Sequence, residues 1–197
     1  GASGLISIVT GEATGGKGGD ILLSVGTTVT TDGGFVNMKA GNSVPLTGGA
    51  VSYATGYGSI PGLISVQTSD AGTSGVSGQL SFTSGTTSAG SSGSITLGSG
   101  KSVSGKGGAI ALSVGEGNTR SGGDVYISGG EISMYTGGSL SFASGYGSSL
   151  SSGSIVVRSM NSGTEGVSGA FEFMSGTSSS GASGLISIVT GEATGGK

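Results

Sequence analysis

Few residues in this chain are of a type that does chemistry. Across 197 residues there is no His and no Cys, which removes the commonest general base, the commonest metal ligand and the thiolate nucleophile together. Ser is abundant, but without an imidazole it has no partner to activate it, and a Ser-His-Asp arrangement is impossible. Gly98-Ser-Gly-Lys-Ser102 looks like the second half of a phosphate-binding loop. That motif needs a Gly five positions before Gly100, where Ile95 stands, and a helix afterwards, where Ser104-Gly-Lys-Gly-Gly108 follows. The segment reads instead as a polar corner whose Lys101 faces Glu116 one repeat later. The acids are scattered: Glu12, Asp20, Asp32, Asp70, Glu116, Asp124, Glu131, Glu165, Glu172 and Glu192. A glycosidase-like pair would have to meet across repeats, and solvated charges that oppose lateral clumping are the simpler reading. Gly18-Gly-Asp20 and Gly122-Gly-Asp124 share a few letters with calcium-binding repeats, which carry their motif in nearly every turn. Two isolated Asp residues do not make that pattern, so neither a metal nor a cofactor is expected, and the chain is not expected to be an enzyme.

Two tyrosines stand apart. Tyr57 and Tyr146 each sit between glycines, in Gly56-Tyr-Gly-Ser59 and Gly145-Tyr-Gly-Ser148, and are expected to project as surface contacts for a sugar or a neighbouring chain. A plain surface Tyr is the equal alternative. Thr27, Thr28, Thr30 and Thr31 form the one dense hydroxyl patch; a flat threonine array of the ice-binding kind would have to extend to other repeats, and it does not.

The formal net charge of −3 is spread along the chain with no basic stripe, so nucleic acid has no electrostatic purchase. No run of eighteen apolar residues is present, and neither a membrane span nor a leader peptide is expected. Asn37, Asn42, Asn118 and Asn161 all fail the N-glycosylation sequon at its third position. Outward Ser and Thr leave O-glycosylation open.

The elements that must position these residues are set by a repeat. With 47 Gly and 9% charged residues the composition is that of a low-complexity chain, yet aliphatic residues recur at fixed intervals throughout. Anchor glycines fall at Gly4, Gly19, Gly34, Gly49, Gly62, Gly78, Gly93, Gly108, Gly123, Gly138, Gly153, Gly169 and Gly184, spaced by 15 at nine steps, 13 at one and 16 at two. Two residues after each stands an apolar side chain: Ile6, Ile21, Val36, Val51, Ile64, Leu80, Ile95, Ile110, Val125, Leu140, Ile155, Phe171 and Ile186. Four residues after stands another: Ile8, Leu23, Met38, Tyr53, Val66, Phe82, Leu97, Leu112, Ile127, Phe142, Val157, Phe173 and Ile188. The residue between is mostly Ser, Thr or Asn, which is the period-2 pattern of a strand with one buried face. Position six carries small groups such as Thr10, Ala40 and Ser84, position seven is Gly in eleven of thirteen repeats, and position eight is polar or protruding. Helix is excluded, because each Gly costs a helix about 1 kcal/mol relative to Ala.

A longer repetition overlies the short one. Gly1 to Lys17 is identical to Gly181 to Lys197, 180 positions on, and Ile64 to Lys106 matches Ile155 to Lys197 in register. The chain therefore reads as one continuous body over 1–197, with half-repeats of about 18–106 and 107–197, and with 181–197 beginning the next 180-residue unit. The fold expected is all-β: a parallel β-solenoid (β-helix) of about twelve 15-residue turns per 180-residue unit, with equivalent strands stacked along one axis. In it, Ile6, Ile8, Ile21, Leu23, Ile64, Val66, Leu80, Phe82, Ile95, Leu97, Ile110, Leu112, Val125, Ile127, Leu140, Phe142, Ile155, Val157, Phe171 and Phe173 form the stacking core. Burying about two large side chains per turn returns ~3–6 kcal/mol, against ordering fifteen residues at ~1–2 kcal/mol each. A lone turn cannot fold, and neither end carries a recognisable cap.

Through Ala71-Gly-Thr-Ser-Gly-Val-Ser-Gly78, Thr83-Ser-Gly-Thr-Thr87 and Gly105-Lys-Gly-Gly108, the chain resembles the Gly/Ser/Thr-rich repetitive proteins of diatoms and related stramenopile algae. The resemblance implies a secreted or cell-surface structural protein and carries over no functional residues. The function expected is a building block of an extracellular filament, stacking end to end on copies of itself. An adhesin or carbohydrate-contacting rod is the alternative, with ice binding behind it.

Overall fold

The computed structural model describes residues 3–44, 46–118 and 121–194. The chain divides into two units, Gly1–Leu97 and Gly98–Lys197. Residues 195–197 of the duplicated segment, and Gly1 and Ala2 of its first copy, lie outside the described residues.

Each unit is a succession of extended segments separated by one bend per repeat. Among the described residues, bends occupy 14–16, 29–31, 44, 46, 58–60, 73–75, 88–90, 103–105, 118, 133–135, 148–150, 179–181 and 194, with a turn at 164–165, nine to thirteen residues after the preceding anchor. The sequence places corners at the position-seven glycines, but the backbone runs straight through Gly11, Gly26 and Gly41 and bends later. At the bend 88–90, Gly90 adopts φ +109°, a conformation an L side chain rarely tolerates.

Beyond each bend the chain doubles back, so that the next anchor glycine lies against position six of the repeat it has just left. A Cβ placed on Gly34 would lie 2.8 Å from Val25 Cγ1, and one on Gly123 would lie 2.8 Å from Val114 Cγ1. The same approach recurs at Gly19 with Thr10 (3.2 Å), Gly49 with Ala40 (3.2 Å), Gly78 with Thr68 (3.3 Å) and Gly153 with Ser144 (3.4 Å). Three junctions are fastened by an equivalent backbone hydrogen bond: the N–H of Gly49, Gly138 and Gly153 donates to the carbonyl of Gly41, Gly130 and Gly145, each at 2.9 Å. Small side chains at position six and glycine at the anchor are thus two halves of one clasp.

This geometry overturns the parallel β-solenoid. Among the described residues there is neither helix nor β-strand. A solenoid needs each anchor beside the preceding anchor, fifteen residues away, with a hydrogen-bond ladder along the axis. Here the closures span seven to ten residues and stop after one bond, so equivalent segments are not laddered. The physical reason follows from composition: two large side chains per repeat do not offset the ordering of a Gly-rich segment within one chain. The expected stacking core is accordingly solvent-exposed, and no hydrophobic residue is buried among the described residues. Stacking of a preformed rod end to end loses its basis with it.

Candidate functional site: a charge-free apolar face

The two rows nevertheless share a side of the chain. Val125 and Ile127 are 51% and 56% exposed, while Tyr126 between them is 88% exposed. Ile155 and Val157 are likewise more sheltered than Val156, and Ile21 and Leu23 more than Leu22. Phe171 and Phe173, one from each row of the same repeat, meet edge to face with ring centroids 4.6 Å apart. Tyr53 Oη donates to Met38 Sδ at 3.3 Å, linking position four of one repeat to position four of the next. The rows therefore point together as period 2 requires, with exposures from 48% at Ile186 to 88% at Ile6, so most of the row surface is in water.

From Ile6 and Ile8 through Ile64, Val66, Leu80, Phe82, Ile95 and Leu97 in one unit, and from Ile110 and Leu112 through Leu140, Phe142, Phe171 and Phe173 in the other, no row residue is charged. Position six is free of charge as well. Charges lie elsewhere in the repeat: Glu12, Asp70, Glu116, Glu131 and Glu192 all fall at position eight. A body that covered positions two, four and six alone would remove apolar surface from water without stripping a charge of its hydration, the step that makes charged interfaces costly.

The surface of the chain as a whole, polar and apolar together, is large. The chain exposes 19919 Å², where a compact monomer of its mass exposes about 8,000 Å² and a fully unfolded one about 27,000 Å². The difference from the compact value, about 12,000 Å², is several times a standard protein–protein interface.

The remaining candidates are spread out. Gly98 to Ser102 is extended, and Lys101 and Glu116 form no ion pair among the described residues. Lys17 Nζ pairs with Asp20 Oδ2 at 3.0 Å, both side chains exposed, and Asp124 Oδ2 accepts from Tyr126 Oη at 2.9 Å. The two Gly-Gly-Asp segments thus direct their carboxylates to a lysine and a phenol. Thr28 Oγ1 accepts from the Thr31 N–H at 3.1 Å and bonds Thr31 Oγ1 at 3.1 Å, folding the threonine patch onto itself. Among the described residues no three His, Cys, Asp or Glu side chains gather as a metal site. A concavity of 240 Å³ is lined by Arg158, Ser159, Met160 and Asn161, and another, of 790 Å³, is lined by row and flanking residues that include Ile6, Met38 and Val51. Neither contains an acid. No helix of the described residues is long and apolar enough to cross a membrane.

Tyr57 and Tyr146 are fully exposed, at 104% and 88%. Each stands just ahead of a bend, at 58–60 and 148–150 respectively. The clasp between anchor and position six was not anticipated from sequence, although both columns were visible there; the signal is that small residues and glycine alternate at a separation of nine, the length of one doubled-back loop.

Comparison with protein-family models, with curated proteins and with solved structures finds no match to this chain.

Proposed function

We propose that this chain is a structural protein whose apolar rows associate with further copies of itself, and that it does no catalytic chemistry. The observation that carries the reading is the charge-free double row, repeated thirteen times and left half or more in water. A second copy is the fitting occupant because it brings the same face with the same repeat, so every row residue of one chain meets an apolar counterpart on the other. Covering the rows adds burial to both chains at once, which a single Gly-rich chain cannot achieve internally.

An extracellular location belongs to the same proposal and is supported by the resemblance of the Gly/Ser/Thr-rich segments to secreted algal structural proteins. Sedimentation velocity over a range of concentrations tests the self-association directly: growth of the sedimenting species with concentration supports it, and a single monomeric species throughout refutes it.

A further inference from the structure

We infer that Tyr57 and Tyr146 are oxidative coupling sites, at which copies of the chain become joined covalently through dityrosine. The two lie in identical Gly-Tyr-Gly-Ser frames 89 residues apart, both at position eight of their repeats. With glycine on either side, no side chain of an adjacent residue flanks the ring; Tyr57 is exposed to the extent of a free tyrosine, and Tyr146, at 88%, as much as Tyr126.

The loop that carries Tyr146 holds it outward. The Gly153 N–H donates to the Gly145 carbonyl at 2.9 Å, closing the loop immediately before the tyrosine. A Cβ on Gly147 would lie 2.5 Å from the Ser151 carbonyl oxygen and 2.7 Å from that of Leu150, so the residue after the tyrosine must be glycine for the loop to close. Around Tyr57 the loop is two residues shorter: it brings Gly62 against Thr55, 3.6 Å from where a Cβ would stand, and leaves 3.7 Å between a Cβ on Gly58 and the Ile60 carbonyl oxygen.

The other tyrosines differ. Tyr53 belongs to the apolar row and its hydroxyl is on Met38 Sδ. Tyr126 is flanked by Val125 and Ile127 and tied to Asp124. Tyr135 lies within the bend 133–135, between Met134 and Thr136. Each of the three has a side chain on both neighbouring residues, where Tyr57 and Tyr146 have none, and the ring-to-ring encounter that coupling requires is freest at the glycine-flanked pair.

The step balances with a peroxide as the oxidant and a haem peroxidase as its catalyst. Each of two phenols gives up one electron and one proton from its O–H. The two phenoxyl radicals join by a new C–C bond between carbons ortho to oxygen, and the hydrogens displaced from those carbons return to the oxygens as the rings regain aromaticity. Two electrons and two protons leave in total, and with them hydrogen peroxide is reduced to two waters.

The inference rests on the self-association reading for which chains are brought together, not for which tyrosines react. Its test treats the full chain with a haem peroxidase and hydrogen peroxide, and reads dityrosine fluorescence together with mass spectrometry of linked peptides lacking two hydrogens. Sedimentation is recorded before oxidant is added. Y57F/Y146F should lose most of the dityrosine while sedimenting as the parent does, and Y53F/Y126F/Y135F should retain most of it. Linked peptides centred on Tyr53, Tyr126 or Tyr135, or equal loss from both variants, overturn the inference even where the chain associates. Linkage at Tyr57 and Tyr146 in a chain that sediments as a monomer supports the coupling sites and counts against the association reading alone.

Discussion

Replacing Ile110 by Asp places one carboxylate in the middle of the apolar face, and its effect can be worked from the exposure of that residue. Ile110 is 54% exposed in the single chain, so association has about half of its side chain left to cover. Full burial of an isoleucine is worth ~1.5–3 kcal/mol, and half of it about 1 kcal/mol. The Asp forfeits that gain and leaves an unpaired polar group at the interface, a further ~1–3 kcal/mol even when partly relieved. The sum is about 3 kcal/mol, or roughly a hundredfold rise in the concentration at which assembly begins. Ser141→Asp supplies the control: Ser141 lies between Leu140 and Phe142 on the opposite side of the chain and is exposed, so its substitution should stay within about 0.5 kcal/mol. Light scattering against concentration measures both. Equal shifts for the two variants, or none for Ile110→Asp, would show that the rows are not the associating face.

Two other outcomes follow from the same geometry. In Gly129→Ala the new Cβ would meet the Gly138 carbonyl oxygen at 2.5 Å, whereas in Gly130→Ala it meets nothing within 4 Å; the first should open the Gly138–Gly130 hydrogen bond and speed exchange of the Gly138 amide by about fivefold, as the loss of ~1 kcal/mol implies, and the second should leave it unchanged. Raising ionic strength from about 0.01 M to about 0.15 M shortens the screening length from ~30 Å to ~8 Å, and because the chain carries a net charge of −3 with five acids at position eight, scattering should set in at a lower concentration in the saltier solution.

What could be read in the sequence is the local pattern. Period 2 implied a strand with one buried face, and the structure has neither strand nor burial among the described residues, although Phe171 meets Phe173 and Val125 and Ile127 are more sheltered than Tyr126. Periodicity does not say what a face is turned towards. An alternating segment whose apolar side is covered by its own chain and one whose apolar side awaits another chain have the same letters, and the solenoid followed from assuming the first. The bends were illegible for a different reason. Five of them, Thr14-Gly-Gly16, Thr73-Ser-Gly75, Ser88-Ala-Gly90, Val103-Ser-Gly105 and Ser179-Ser-Gly181, end on glycine, but Val29-Thr-Thr31, Ser133-Met-Tyr135 and Ser148-Ser-Leu150 contain none, and the more conspicuous position-seven glycines sit in extended backbone. The anchor glycines carry a constraint of their own: at Gly34 and Gly123 it is the valine pressed against them from the repeat before.

Sedimentation velocity of the unmodified 18.4 kDa chain, followed from dilute to concentrated solution together with the binding of an apolar fluorescent dye, tests the central claim most directly. The account requires that the sedimenting mass rise with concentration while dye bound per chain falls, because the rows that bind dye are the rows that another copy covers. A chain that stays at its monomer mass and binds the same dye per molecule at every concentration contradicts it.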